Sequence, residues 1–255
     1  MTKVVGIVNV TPDSFSDGGH SFKPDRAVEH VGQHFADGAA IVDLGAESTR
    51  PGADEVLVEE EWSRLDPVIY ALRETHEARG FSIDTRHSEV ARRALLEWSA
   101  ELTINDVTGC SNDVMIDVIA NAGCPVIVGH LPASAEGSIT EAHKHKERSL
   151  QRVVDEISAR AVTLVKRGIK QDNIIVDPGI GFGKSPELNV QLLAFGNLVD
   201  YPVMIGHSRK RFLGEHRLDP SYNAQIGRLA SWHGANYLRV HDVARQTAAL
   251  RPQMV

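Results

Sequence analysis

The sequence predicts a (β/α)₈ (TIM) barrel, an α/β fold of eight parallel strands closed on themselves and ringed by helices, and three observations predict it. Eight short apolar runs recur along the chain, and each stops at or just before a polar or charged cluster. A stretch of helical periodicity separates most runs from the next. The length, 255 residues, is close to the roughly 250 typical of this barrel and suits one large core, so a single domain over residues 1–255 is expected. Active sites of such barrels lie at the carboxyl ends of the strands. Clusters scattered from Asn9 to His241 are therefore expected to converge on one mouth.

Taken in order, the run at residues 4–8 ends in Asn9 and the run at 40–44 leads to Glu47. The run at 81–83 ends in Asp84, 102–104 in Asn105 and Asp106, and 125–128 leads to His130. The run at 174–176 ends in Asp177, 202–205 leads to His207, Ser208, Arg209 and Lys210, and 237–240 ends in His241 and Asp242. Between them, residues 25–36 place Ala27, Val28, Val31 and Phe35 on one helical stripe. Residues 58–79 open on Glu59, Glu60 and Glu61, which suits the positive end of a helix dipole, and Pro67 predicts a break or kink. Helices follow at 88–98, with Ser88 as N-cap, at 113–121, closed by Gly123, and at 147–166, closed by Gly168. The last three are expected at 186–195, with Pro186 in the first turn, at 224–233 and at 244–250. Two long loops, 11–24 and 45–56, break this rhythm. Long loops in a compact fold carry function or disorder, and a place after strands 1 and 2 favours function.

Composition narrows the partners. A formal net charge of −7 argues against a general nucleic-acid binder, whose phosphate affinity needs surplus Lys and Arg. An anionic small molecule is still compatible, because a few local cations reverse the field inside a cleft. Cys110 and Cys124 are the only cysteines and give neither a disulfide framework nor a zinc spacing. Free thiols fit a reducing compartment. With no signal-peptide pattern and no long apolar span, a cytoplasmic protein without membrane contact is expected.

The residues at the strand ends carry the chemistry. The loop after strand 1 holds Thr11, Asp13, Ser14, Phe15, Ser16 and Asp17. The loop after strand 2 holds Glu47, Ser48, Thr49, Arg50 and Pro51, and Arg50 is a good anion hook because a guanidinium fork matches phosphate oxygens. After strand 6, Asp177 is followed by Gly179, Gly181, Phe182, Gly183 and Lys184. Pro178 occupies the place a Walker loop reserves for glycine, and the spacing is wrong for a dinucleotide fingerprint. A strand-end carboxylate beside glycine-lined space and Phe182 suits a flat heterocycle bearing N–H donors. Lys210 belongs to a cation cluster after strand 7. Arg239 and His241 alternate on strand 8, so they share one face, and charged side chains there are poor core material. An anion site is the better account of them, with a salt bridge to a neighbour as the rival. A Mg²⁺ held mostly by substrate phosphates needs only one or two protein oxygens, and Asn9 could supply one.

Seven of these motifs, in order along nearly the whole chain, resemble dihydropteroate synthase, a pterin-binding enzyme of folate biosynthesis. They are Asn9 to Gly19, Glu47 to Gly52, Ile83-Asp84-Thr85, Asn105-Asp106, Asp177 to Lys184, Ser208-Arg209-Lys210 and Arg239-Val240-His241-Asp242. The resemblance implies a transferase that joins p-aminobenzoate to 6-hydroxymethyl-7,8-dihydropterin pyrophosphate. It further implies that Asp84, Asn105, Val107, Asp177, Phe182, Lys210 and Arg239 surround the pterin. Phe15, Thr49, Arg50, Pro51 and Ser208 would form the aminobenzoate slot. Asn9, Arg50, Arg239 and His241, with Mg²⁺ on Asn9, would hold the pyrophosphate. Asp17 would stabilise a cationic intermediate, with Lys210, Arg239 and His241 as the other catalytic groups. Sulfonamide targeting and a homodimer are implied as well.

The chain departs from the family pattern in places. Gly129 stands before His130 where the family carries a methionine that packs on the pterin, which predicts a gap. Residues 131–140 do not match, Ala46 replaces a usual glycine, and Cys110 sits where glycine is common. Two other readings stay open on the sequence: a divergent pterin-binding paralogue without synthase activity, and a methyltetrahydrofolate-binding methyltransferase.

Overall fold

The computed structural model describes residues 1–11, 24–48, 55–76, 80–98, 102–132 and 149–251. Eight strands appear within them: β1 (Lys3–Asn9), β2 (Ile41–Gly45), β3 (Gly80–Asp84), β4 (Thr103–Asp106), β5 (Val126–Gly129), β6 (Ile174–Asp177), β7 (Met204–Ile205) and β8 (Tyr237–Val240). All pairings are parallel, in the order β6-β5-β4-β3-β2-β1-β8-β7. A bridge between Val176 and Val203, with Val176 N–H donating to Pro202 at 2.9 Å, brings β6 against the start of β7 and closes the barrel.

The strands alternate with helices α1 (Pro24–Ala36), α2 (Val58–His76), α3 (Ser88–Trp98), α4 (Asp113–Ala122), α5 (Leu150–Lys166), α6 (Pro186–Gln191), α7 (Pro220–Trp232) and α8 (Val243–Leu250). Their ends follow local chemistry. Asn112, Ser149, Ser185, Asp219 and Asp242 each accept a backbone N–H in the first turn of a helix. Gly123 closes α4 in the left-handed conformation, at φ 66°. The break expected at Pro67 is absent, and α2 runs through it. An interior proline costs about 3 kcal/mol, whereas the four buried side chains Leu65, Val68, Ile69 and Leu72 together contribute roughly twice that or more. Helix α7 begins at Pro220, before the expected start, because Asp219 caps it and Pro220 fits its first turn.

Alternation along each strand separates two environments. Outward side chains such as Val42, Leu44, Phe81, Ile83, Ile104, Val128 and Leu238 pack in the main core under the helices. Inside the barrel, Val5, Ile127, Ile175 and Met204 form a second apolar cluster with Ile41 and Tyr237 against it. One pleat further toward the carboxyl ends, the same face turns polar: Ile41 is followed by Asp43, Ile175 by Asp177, and Tyr237 by Arg239. A barrel interior is ordinarily filled by branched apolar side chains. Here the upper layer is given over to acids and bases, which is poor for packing and marks the mouth as the site.

Candidate active site

Four strands place charge within reach of one another at this mouth. Arg239, on β8, donates Nε to Asp43 Oδ2 at 2.5 Å and Nη2 to Asp84 Oδ2 at 2.5 Å. Asp84 ends β3, and Asp43 lies in β2 with no exposure. Burial pushes the Asp84 carboxyl up to about 7, Arg239 opposing it and Asp43 adding to it. Arg239 itself stays cationic, because the neighbouring acids outweigh the cost of its burial.

Facing this pair are Asp177 and Lys210. Asp177 ends β6, and its Oδ1 accepts the Gly179 N–H at 2.7 Å. Burial raises its carboxyl, while the Gly179 bond and then the Lys210 charge hold it down. Lys210 is pushed down to about 8 by burial, with Asp177 opposing the shift. Its Nζ stands 4.6 Å from the centre of the Phe182 ring, a cation–π distance. The glycines between Asp177 and Lys184 allow this approach. At Gly179, φ 65°, a Cβ would stand 2.2 Å from the His130 carbonyl. Lys184 is buried and donates Nζ to the carbonyls of Gly179, Phe182 and His130, tying the loop to the end of β5. Beyond β7, Arg209 takes the left-handed conformation, φ 61°, with its N–H on Asn223 Oδ1 at 2.8 Å. A non-glycine residue in that region costs of order 1 kcal/mol or more, and such strain clusters at functional loops. Ser208 Oγ lies 3.0 Å from His241 Nδ1.

The barrel mouth sets three acids among donors and an aromatic edge, as a flat heterocycle with both donors and acceptors requires, with cations beside them for an anion. The family model of the pterin binding enzymes matches residues 5–241. A dihydropteroate synthase type-3 of Escherichia coli is 36% identical over 264 residues, covering 98% of this chain and 98% of that protein. The chain belongs to the dihydropteroate synthase family of pterin-binding enzymes. A solved structure of Xanthomonas albilineans dihydropteroate synthase with 4-aminobenzoic acid matches it with a TM-score of 0.87 at 39% identity, covering 98% of this chain and 90% of that one. A probable bifunctional folylpolyglutamate synthase/dihydropteroate synthase of Haloferax volcanii is 39% identical over 257 residues, which is 98% of this chain and 30% of that longer protein.

Within this family fold the strand-end residues sort by parity. Asn105 faces the cavity and donates Nδ2 to Asp43 at 3.1 Å. Asp106, one residue on, points the other way and accepts from Thr108 and the Cys110 N–H. His207 is buried outside the site on the Asn223 carbonyl, and burial pushes it down to about 4. His130 turns toward α5, with Nε2 2.9 Å from Glu156. The expected convergence of every cluster is thus corrected: the strand ends meet, but only alternate residues enter.

Glu47 also leaves the cavity. It takes a fork from Arg86, with both contacts at 2.9 Å, and accepts the Val56 N–H at 3.2 Å. With Glu61 and His87 it forms a group whose ligand-type atoms lie within 4.8 Å of one another. Arg86 already supplies the positive charge there, so the group is an ion-pair network. Asn9 ends β1, half-buried, and its side-chain amide has no partner among the described residues. One hard oxygen at the mouth fits a Mg²⁺ whose other ligands are substrate oxygens and water.

Where a Gly129 side chain would stand there is no gap, although Gly129 lines a pocket with Thr108, His130, Glu156 and Arg160. A Cβ there would stand 2.7 Å from Val107 Cα and 2.7 Å from its carbonyl oxygen, so the chain after β4 occupies the space a side chain would take. Cys110, placed where glycine is common, has φ 54° and keeps the left-handed turn glycine would give. Phe15, Asp17, Thr49, Arg50 and Pro51 lie outside the described residues. Asp43, which no motif had singled out, is the site's deepest acid. A lone carboxylate inside the otherwise apolar residues 41–45 was the signal for it.

Proposed function

We propose that this chain is a dihydropteroate synthase that condenses 6-hydroxymethyl-7,8-dihydropterin pyrophosphate with p-aminobenzoate, giving 7,8-dihydropteroate and pyrophosphate in folate biosynthesis. The observation that carries the reading is the facing of Asp84 and Arg239 by Asp177 and Lys210 inside the mouth of a barrel shared with synthases.

Each group has a task that its environment supports. Asp177, with one oxygen held by Gly179, keeps the other for the amino and ring N–H edge of the pterin. Lys210 donates to the pterin's carbonyl and ring nitrogen, and Phe182 and Val107 flank the ring with Asn105 and Asp84 at its edge. A site built on such bonds rejects analogues that leave its buried groups unpaired. Arg239 borders both ring and diphosphate, and His241, near Ser208, lies at the same edge. Bound Mg²⁺, with Asn9 as its protein ligand, would neutralise the pyrophosphate oxygens.

The reaction breaks the bond from the methylene carbon to the diphosphate oxygen, whose electrons leave with pyrophosphate. It forms a bond from that carbon to the arylamine nitrogen, which then gives up a proton. Departure before attack suits the pterin, which delocalises the methylene cation, and it relieves the weak arylamine of any need for activation. By resemblance, Asp17 is the carboxylate beside that cation. Phe15, Thr49, Arg50, Pro51 and Ser208 form the aminobenzoate slot. The same reading makes the chain a single barrel domain working in the cytoplasm as a homodimer on small molecules, away from nucleic acid and membrane.

The decisive experiment incubates purified protein with pterin pyrophosphate, labelled p-aminobenzoate and Mg²⁺, and measures dihydropteroate and released pyrophosphate. Equimolar product and pyrophosphate are expected. Pterin binding without product would assign the chain instead to a non-synthase paralogue.

A further inference from the structure

We infer that Asp43 is the positioning residue of the pterin pocket: it fixes the directions in which Arg239 and Asn105 face a flat, hydrogen-bonding ring that carries a diphosphate. The inference rests on the synthase reading and adds a residue to it.

Asp43 is fully buried in β2, and its carboxylate is gripped from three strands. Ser82 Oγ of β3 donates to Oδ1 at 2.5 Å. Asn105 Nδ2 of β4 and Arg239 Nε of β8 both donate to Oδ2, at 3.1 and 2.5 Å. With those bonds made and no exposure, the group orients its neighbours and leaves ligand contact to them.

Two consequences follow from the donors' geometry. A guanidinium is a rigid planar fork, so pinning Nε on Asp43 and Nη2 on Asp84 fixes its plane as well as its position. Its other N–H donors have no partner among the described residues and are left to a ligand. For Asn105, placing Nδ2 on Asp43 settles the amide orientation and leaves Oδ1 as the atom available to a donor. One pleat above Asp43 stands Gly45, where a Cβ would lie 3.3 Å from Asp84 Cβ. The missing side chain gives Asp84 its place beside the arginine. Without Asp43, the guanidinium is held at Asp84 alone and is free to swing toward Asp177, which the pterin needs.

The test measures binding of 6-hydroxymethyl-dihydropterin pyrophosphate without aminobenzoate, by calorimetry or fluorescence, on folded full-length variants. Asp43→Ala is expected to weaken binding on the order of a hundredfold, the scale of a broken buried ion pair. Asp43→Asn retains an acceptor for Arg239 Nε and a donor for Ser82 Oγ, so it recovers part of the loss, to about tenfold. Ser82→Ala frees only one carboxylate oxygen and costs a few-fold. The discriminating measurement is a double-mutant cycle. In an Arg239→Ala background, Asp43→Ala has only Asn105 left to misdirect, through its single 3.1 Å bond, and its further cost falls below about fivefold. A merely structural role would leave the hundredfold penalty undiminished there, and that result overturns the inference, as does unchanged affinity in a folded Asp43→Asn. If Asp43→Ala does not fold, Asp43→Asn runs the same cycle. Failure of the unmodified protein to bind the pterin is a separate outcome: it removes the synthase reading itself.

Discussion

Asp177→Asn isolates the polarity of the proposed pterin pocket. The substitution changes shape little, but the Gly179 N–H limits how the new amide can sit. In the protein that N–H donates to Asp177 Oδ1 at 2.7 Å. The introduced amide keeps this bond only by placing its carbonyl oxygen there, so its NH₂ takes the place of Oδ2. That oxygen lies 3.6 Å from where a Cβ on Gly206 would be. An NH₂ in this place would meet the N–H donors of a pterin bound as proposed. One charge-assisted hydrogen bond, about 1.5–3 kcal/mol, is lost, and a buried donor is left unpaired at about 1–3 kcal/mol more. The sum, roughly 2.5–6 kcal/mol, corresponds to a loss of affinity between about sixtyfold and ten-thousandfold or more. The fold keeps its Gly179 contact, so stability is expected to move by less than about 1 kcal/mol. Calorimetric titration with 6-hydroxymethylpterin, beside thermal melts, reads both numbers. A D177N protein that binds within threefold of the original would refute the assignment of Asp177 to the ring's donor edge. The same variant has a second signature. The Asp177 carboxylate holds the Lys210 ammonium up against burial, so its neutralisation moves Lys210 below about 8.

The activity of the unmodified protein is expected to show a narrow plateau in kcat/KM. Lys210 donates only when protonated, below about 8, and Asp84 accepts fully only as the carboxylate, above about 7. Activity therefore rises through about 7 and falls above about 8, the limbs belonging to the coupled group of charges; a profile flat from pH 6 to 9.5 contradicts this. Gly129→Met restores the residue the family carries, yet it drives a Cβ to 2.7 Å from Val107 Cα. Overpacking of this kind costs typically 1–3 kcal/mol, which urea unfolding measures, and an equally stable variant would show that the chain after β4 yields freely. Cys110 and Cys124 are both buried, and burial pushes Cys110 well up and Cys124 to about 11. Native protein is expected to resist a thiol reagent and to release both thiols on denaturation, and rapid native labelling would contradict that burial.

The barrel was legible because its two periods are local. A strand buried between core and helices reads as an apolar run, and a helix packed on one side repeats about every 3.6 residues. What was illegible depended on parity. Asn105 and Asp106 stand together at the end of β4, as His207 and Ser208 do beyond β7, and composition cannot tell which of each pair enters the barrel. A one-residue change of register would exchange them. The Val107 backbone against Gly129 is a contact between different strand ends, so Gly129 looked like a gap until its neighbour filled it.

Asp43 shows why a site is more than its exposed motifs. Within residues 41–45 it is surrounded in sequence by Val42 and Leu44, both buried against the helices. A carboxylate in such a run is stable only if the opposite face of the strand supplies donors, and Ser82, Asn105 and Arg239 do so from three strands. Those donors lie as far as 196 positions away in the chain. A buried acid of this kind therefore implies its partners before they are seen, and it implies a polar barrel interior. The charge is costly for packing, and its retention is explained if two ligand-facing groups depend on it for direction.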